Sequence, residues 1–371
     1  MPNNSFSGAN AFADPELCRN LLAILHSRLD APLRFMEVCG THTVAIFRSG
    51  LRSLLPEGIT HLSGPGCPVC VTHDRELGLC MELAAQDGIT IATFGDLMRV
   101  PGPGGASLKQ AKATGADVEV VYSPLDALKL AKERPDGEIV FLGVGFETTA
   151  PTVAATVQMA ASEKIKNFSV LVFHKLVPPA LEALLADTGS DAPGSGIDAF
   201  LLPGHVSTIL GINPYRFVAE RYGKPGVIGG FDPADILQSL LLMLEMRENN
   251  SPDIKNQYSR AVSDEGNSRA REIMFSVFET SDALWRGIGA IPNSGLAIKE
   301  NYASFDAMKR FGLSLPDVPD IKGCKCGDVL KGRIMPNQCP LFGKACTPAK
   351  PVGPCMVSTE GSCAAYFKYA C

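Results

Sequence analysis

The sequence is poor in exactly the features that would mark a membrane, secreted or nucleic-acid-binding protein. Its densest apolar run, Leu237 to Met246, is about half of the roughly 20 residues that a bilayer span needs. Basic residues form no block, and 34 Lys and Arg stand against 39 Asp and Glu for a formal net charge of −5, which argues against nucleic acid as a partner. The first twenty residues, MPNNSFSGANAFADPELCRN, lack the basic-then-apolar order of a secretory signal, so a cytoplasmic location is expected. No G-x-x-x-x-G-K-[ST] occurs, and the glycine run at Gly143 misses G-x-G-x-x-G because position 148 is threonine. Charged residues are only 20% of the chain and hydrophobic ones 46%, which excludes a disordered polymer. Cysteine is the exception to this scarcity. There are twelve, seven of them from Cys324 onward, and in a reducing compartment such density reads as metal or redox chemistry.

Eight short β-rich runs start at Leu33, Ile59, Ile89, Val118, Ile139, Phe168, Ala199 and Gly226, with helix-forming segments between them. Their spacing is that of one strand-plus-helix unit, and the second four follow the first four by about 108 residues. The pattern predicts an α/β protein with two similar parallel-sheet domains facing a cleft, residues 1–125 and 126–248. A single eight-stranded barrel has the same alternation and is the structural alternative. Residues 249–315 read as a helical connecting region, and residues 316–371 as a small Cys-rich tail domain.

Polar and thiol residues follow the strands, where parallel sheets bind their ligands. Cys39-Gly-Thr-His-Thr43 follows the first run and Gly64-Pro-Gly-Cys67-Pro-Val-Cys70 the second. Adjacent first and second strands would bring Cys39 within reach of Cys67 and Cys70, with His42 nearby, a soft donor set for iron, copper or zinc. Cys67 and Cys70 also have the spacing of a redox dithiol. Asp96, Glu147, Thr148, Thr149 and His205 occupy corresponding positions later in the chain, as cleft candidates or as backbone caps. Cys18 and Cys80 sit in helical apolar patterns and read as core. In the tail, Cys324, Cys326, Cys339, Cys346, Cys355 and Cys363 remain once the terminal Cys371 is set aside. Four cysteines would hold a [4Fe–4S] cluster and two would be left as a thiol pair, with a zinc-binding tail as the alternative.

These motifs, with Gly145-Phe-Glu-Thr-Thr-Ala-Pro151, Pro203-Gly-His-Val-Ser207, Cys339-Pro-Leu-Phe-Gly343, Cys346-Thr-Pro348, Gly353-Pro-Cys-Met-Val-Ser358 and Glu360-Gly-Ser-Cys363, resemble the HypD family of [NiFe]-hydrogenase maturation factors. The resemblance implies a scaffold on which the Fe(CN)2CO unit of the hydrogenase active site is assembled. The iron would be held by Cys39, Cys67 and Cys70, between this chain and the small chaperone HypC. Cyanide would come from HypF and HypE, and the hydrogenase large subunit would be served indirectly. The resemblance further implies a tail [4Fe–4S] cluster beside a disulfide, similar to ferredoxin:thioredoxin reductase. On that basis Cys326, Cys339, Cys346 and Cys363 are expected as cluster ligands and Cys324 with Cys355 as the redox pair. Cys39, His42, Cys67 and Cys70 complete the expected reactive set. The competing function is an iron–sulfur-dependent thiol–disulfide reductase acting on a partner protein, for which Cys39 has no use.

Overall fold

A computed structural model describes residues 11–187, 196–318 and 321–369, so that Cys371 lies outside the described residues. The eight expected runs are all strands: β1 (Leu33–Glu37), β2 (Ile59–Ser63), β3 (Ile89–Thr93), β4 (Val118–Val120), β5 (Glu138–Gly143), β6 (Phe168–Val172), β7 (Ala199–Pro203) and β8 (Gly226–Gly229). Every pairing among them is parallel, as the near-continuous burial of the strands requires. They form two separate sheets, which excludes the barrel.

The partition between the sheets differs from two consecutive halves. One sheet has the order β2-β1-β7-β8-β9, closed by the short β9 (Ile254–Asn256), and the other has the order β4-β3-β5-β6. The boundary expected at residues 125 and 126 therefore falls inside the second sheet's own run of strands. The middle of the chain folds as one sheet, and the chain then returns to lay β7 against the free edge of β1. Strand sequences record burial on both faces, which both arrangements satisfy, and do not record which neighbour supplies the hydrogen bonds. The return creates a reversal of strand order at β1, and a second reversal lies between β3 and β5. Ligands of open parallel sheets gather beyond the carboxyl ends at such reversals.

Residues 249–315 are not simply helical. Helix Ser268–Val277 leads into an antiparallel hairpin of β10 (Phe278–Trp285) and β11 (Gly289–Ile298). Its apolar side chains Phe278, Leu296 and Ile298 fill the core of the second sheet, and fully buried Trp285 donates its Nε1–H to Ser294 Oγ at 2.8 Å. Gly287 at the tip has φ of +72°, and Gly327 of the tail packs so closely that a Cβ on Gly287 would lie 2.2 Å from its Cα. The tip residue Arg286 bonds the Val71 and Thr72 carbonyls and pairs with Asp74 at 2.7 Å. No helix among the described residues is long and apolar enough to cross a membrane.

One buried ion pair links the sheets' surroundings. Lys175, just after β6, bonds Glu76 in helix Asp74–Ala84, and both side chains are almost wholly buried. Removing one partner strands the other charge, so Lys175→Met should cost about 3–5 kcal/mol of unfolding free energy. Lys175→Met combined with Glu76→Gln should recover part of that loss in urea denaturation. A single variant as stable as the parent would show that the pair contributes nothing to the fold.

Candidate functional site

The two thiol loops are built side by side by the register of β1 on β2, in which Glu37 lies opposite Ser63. Cys39 then caps helix Gly40–Arg48, and Cys67 caps the single turn Pro68–Val71, with proline at its first position. Gly40 N–H donates to Gly66 O at 2.9 Å, and Gly64 N–H to Glu37 O at 2.7 Å. A Cβ at Gly66 would lie 2.2 Å from Cys39 N, so only glycine permits this approach. The Cys67 and Cys70 sulfurs are 2.7 Å apart, and Cys70 N–H points at Cys67 Sγ over 3.3 Å. Cys39 is pushed up to about 12 by burial first and then by the carboxylates of Glu360 and Glu37, so it rests as a thiol.

A cleft of about 710 Å³ opens at the strand ends of both sheets, lined by Cys39, Asp96, Thr148, Thr149, His205 and Glu360 among others. Four of the five expected cleft residues are therefore present. Tyr122, 92% exposed, stands among the lining residues. Thr149 also has a local role, its hydroxyl donating to Phe146 O at 3.2 Å.

Two expected site residues turn elsewhere. His42 is fully buried, with Nε2 directed at the Gly229 and Gly230 carbonyls (3.2 and 3.0 Å) and its ring against Phe231. Burial lowers it to about 4, leaving a neutral ring that ties helix Gly40–Arg48 to the end of β8. Its hydrogen-bonding nitrogen is thereby spent on the carbonyls after β8 and not on a thiol. Glu147 is also buried and accepts Val177 N–H at 2.9 Å, so it braces the start of helix Val177–Asp187 and does not line the cleft.

Burial raises the Glu147 carboxyl to about 7. The folded protein thus holds this proton more tightly than an unfolded glutamate does. Its contribution to stability is complete below the unfolded value of about 4.3 and is lost as pH rises through about 7. Glu147→Gln should flatten the fall in melting temperature between pH 5 and 8 and raise the value at pH 8. Parallel curves for parent and variant would assign that pH dependence to other groups.

The tail brings six cysteines to one pocket: Cys324, Cys326, Cys339, Cys346, Cys355 and Cys363. Cys326 Sγ lies 3.6 Å from Cys355 Sγ. Cys326 and Cys70 are both in hydrogen-bond contact with the Cys355 sulfur, and these contacts lower Cys355 from its ordinary value. A file of sulfurs therefore runs Cys67, Cys70, Cys355, Cys326. The geometry departs from the expected pairing of Cys324 with Cys355. Cys326 is buried as the first residue of helix Cys326–Leu330, whereas Cys324 is half-buried with its sulfur near Gly353.

Among the described residues, no group of three or more His, Cys, Asp or Glu side chains is already spaced around a single metal ion. The tail thiols line a wider, otherwise apolar pocket with Leu341, Phe342 and Met356. Cys363 is pushed well up by burial and by Cys326, Cys324, Cys346 and Cys339 around it. So many sulfurs cannot all ionise together without a cationic group among them, and Val352 N–H already points at Cys346 Sγ over 3.3 Å. This donor set fits an iron–sulfur cluster.

Ser358 and Glu360 carry no role in the sequence reading, yet they connect the tail to the cleft. Cys67 Sγ and Asp96 Oδ2 each lie 3.4 Å from Ser358 Oγ. Thr41 donates to Glu360 Oε1 at 2.7 Å, and a Cβ on Gly40 would meet the Glu360 side chain at 2.5 Å. The only signal for them was their place in the Gly353–Cys363 motif.

Comparison with known proteins agrees in family over nearly the whole chain. A family model described as "HypD: Hydrogenase formation hypA family" matches residues 16–370. The hydrogenase maturation factor HypD2 of Bradyrhizobium diazoefficiens is 45% identical over 365 residues, covering 97% of this chain and 96% of that one. The hydrogenase maturation factor HypD of Rhodobacter capsulatus is 46% identical over 373 residues, with 97% of each chain covered. Its Escherichia coli counterpart is 46% identical over 341 residues, covering 92% of this chain and 90% of that one.

Proposed function

The chain belongs to the HypD family and is a hydrogenase maturation factor, and from this premise we propose that it is the scaffold on which the Fe(CN)2CO unit of a [NiFe]-hydrogenase is assembled. The iron fragment is cargo. Cys39 is its principal thiolate anchor at the cleft, with Cys67 and Cys70 immediately behind as further ligands or as a redox pair. The observation that carries this reading is the placement of Cys39 at the β1 strand-order reversal, lining a cleft and touching the C-x-x-C loop. Thiolate is a soft donor suited to low-spin iron bearing cyanide and carbonyl. Thr148 and His205 line the same space and offer donors to cyanide nitrogen, while Asp96 and Glu360 offer acceptors. A chaperone such as HypC, closing over the cleft, would exclude water from these ligands. HypF and HypE are the proposed cyanide source, and the cytoplasm, where thiols stay reduced, is the proposed location.

The sulfur file supports a redox part of the proposed mechanism. Cys355 thiolate attacks the sulfur of Cys70 in a Cys67–Cys70 disulfide, and Cys67 leaves and takes up a proton. Cys326 then attacks Cys355 in the mixed disulfide, which frees Cys70 and leaves a Cys326–Cys355 disulfide. One disulfide is lost and one formed, so two electrons have moved toward the cleft. A [4Fe–4S] group held by Cys324, Cys339, Cys346 and Cys363 would supply single electrons to this end of the file. The second reading, a thiol–disulfide reductase, is favoured by the same file of sulfurs but gives Cys39 nothing to do. Infrared spectra of the protein purified with its small partner separate the two. Cyanide and carbonyl stretching bands support the scaffold, whereas disulfide turnover on a partner without those bands supports the reductase.

A further inference from the structure

Charge is segregated along this chain in a way that the maturation chemistry does not use. The tail, residues 316–371, holds seven Lys and Arg against four carboxylate side chains, Asp317, Asp320, Asp328 and Glu360, an excess of three positive charges in a protein whose net charge is −5. Among the described residues none of these carboxylates faces outward unopposed, and Asp317 pairs with Arg75 at 2.5 Å. Glu360 lines the cleft, and Asp328 lies 3.5 Å from Lys325. Lys331 and Arg333 share Asp187. Lys322, Lys344 and Lys350 are exposed and, among the described residues, have no ion-pair partner.

Each of these three lysines is joined by a neighbouring residue or a backbone turn to the segments that line the cysteine pocket. Gly323, next to Lys322, packs on Leu341, which lines the pocket. Lys344 N–H closes a turn onto Leu341 O at 3.2 Å, and Lys350 closes another with Thr347 just beyond Cys346. Several lining residues, among them Cys324, Cys339 and Cys363, are only partly buried, so the pocket's edge lies close to this surface.

We propose that the outer face of the tail is a docking surface for an acidic one-electron carrier protein, with Lys322, Lys344 and Lys350 as its steering charges. The proposal rests on the redox reading of the tail above. Clustered charge around a redox pocket raises the encounter rate of an oppositely charged partner and makes it sensitive to salt. Two reduced carriers each give up one electron. With two protons from water, the Cys326–Cys355 disulfide becomes two thiols, and two oxidised carriers leave.

The probe is a bacterial flavodoxin, acidic and reducible to its one-electron-donating form, used anaerobically with the full-length protein. Its affinity and the rate at which it generates protein thiols are measured, with sodium dithionite as a small reductant for comparison. Lys322→Glu/Lys344→Glu/Lys350→Glu should weaken flavodoxin binding and slow flavodoxin-driven reduction on the order of tenfold or more, while dithionite-driven reduction is unchanged. Raising the ionic strength from about 0.01 to about 0.3 M should have the same effect on the parent, and the triple Gln variant should fall between. Equal affinity of parent and Glu variant for flavodoxin overturns the proposal, and so does a loss of affinity for an oligonucleotide alone. If dithionite yields no thiols, the redox reading of the tail has failed, and the docking surface is then judged on the affinities.

Discussion

Cys355→Ala is expected to abolish hydrogenase maturation in cells while leaving the tail's iron–sulfur absorption and Mössbauer signal intact. Among the described residues Cys355 is the sulfur that meets both Cys70 and Cys326, and these contacts hold it below its ordinary value. Without it the Cys67–Cys70 pair loses the neighbouring nucleophile that the proposed relay toward the cleft requires. The same substitution removes a single sulfur from a site 1% exposed, a small cavity that the fold should survive. Alanine at Cys324, Cys339, Cys346 or Cys363 should do the reverse at the spectroscopic level and abolish or convert the cluster signal. Cys326→Ala should behave like Cys355→Ala. This inverts the assignment expected from sequence for Cys324 and Cys326. A cluster lost from Cys355→Ala but retained in Cys324→Ala would return Cys324 to the redox pair.

The reason that this assignment was hidden in the sequence is geometric. In Cys324-Lys-Cys326 the two sulfurs were expected to diverge, but they stay in hydrogen-bond contact with each other, and what differs between them is burial, which depends on where the helix Cys326–Leu330 begins. Starting at Cys326, that helix buries the second sulfur against Cys355 and leaves the first at the rim. The same kind of limit applied to the cleft. Asp96, Thr148, Thr149 and His205 were legible because residues just after parallel strands gather at one edge, and the strands themselves were visible as short β-rich runs. His42 and Glu147 also follow strand ends, yet helix Gly40–Arg48 directs one to the Gly229 and Gly230 carbonyls, and the turn before helix Ala150–Ser162 directs the other to a backbone amide. Sheet membership was not legible for a different reason. β1 is buried whether its second neighbour is β3 or β7, and only the whole chain's packing selects β7. The hairpin β10–β11 escaped because residues 249–315 read as a helical connecting region and no strand stands out on either side of its turn, Arg286-Gly287-Ile288.

Cys39→Ala should yield a folded protein, with its tail cluster signal in place, that shows no cyanide or carbonyl bands in the infrared when purified with its small partner. Among the described residues Cys39 is the thiol that lines the cleft, while Cys67 and Cys70 lie behind it in contact with the tail. If iron is cargo in the cleft, the loss of this sulfur removes the anchor and leaves the redox file untouched. Cys39→Ser should fail as well, because a hydroxyl of nearly the same shape offers a harder oxygen that low-spin iron binds poorly. Shape is therefore not what the position supplies. Cys80→Ser is the matching control. That thiol is buried in helix Asp74–Ala84 with its proton directed at Glu76 O, outside both the cleft and the sulfur file. It should lower the melting temperature and keep the bands. Should Cys39→Ala retain both bands at parental intensity, the iron is held elsewhere, and Cys67 with Cys70 become the ligands to test next.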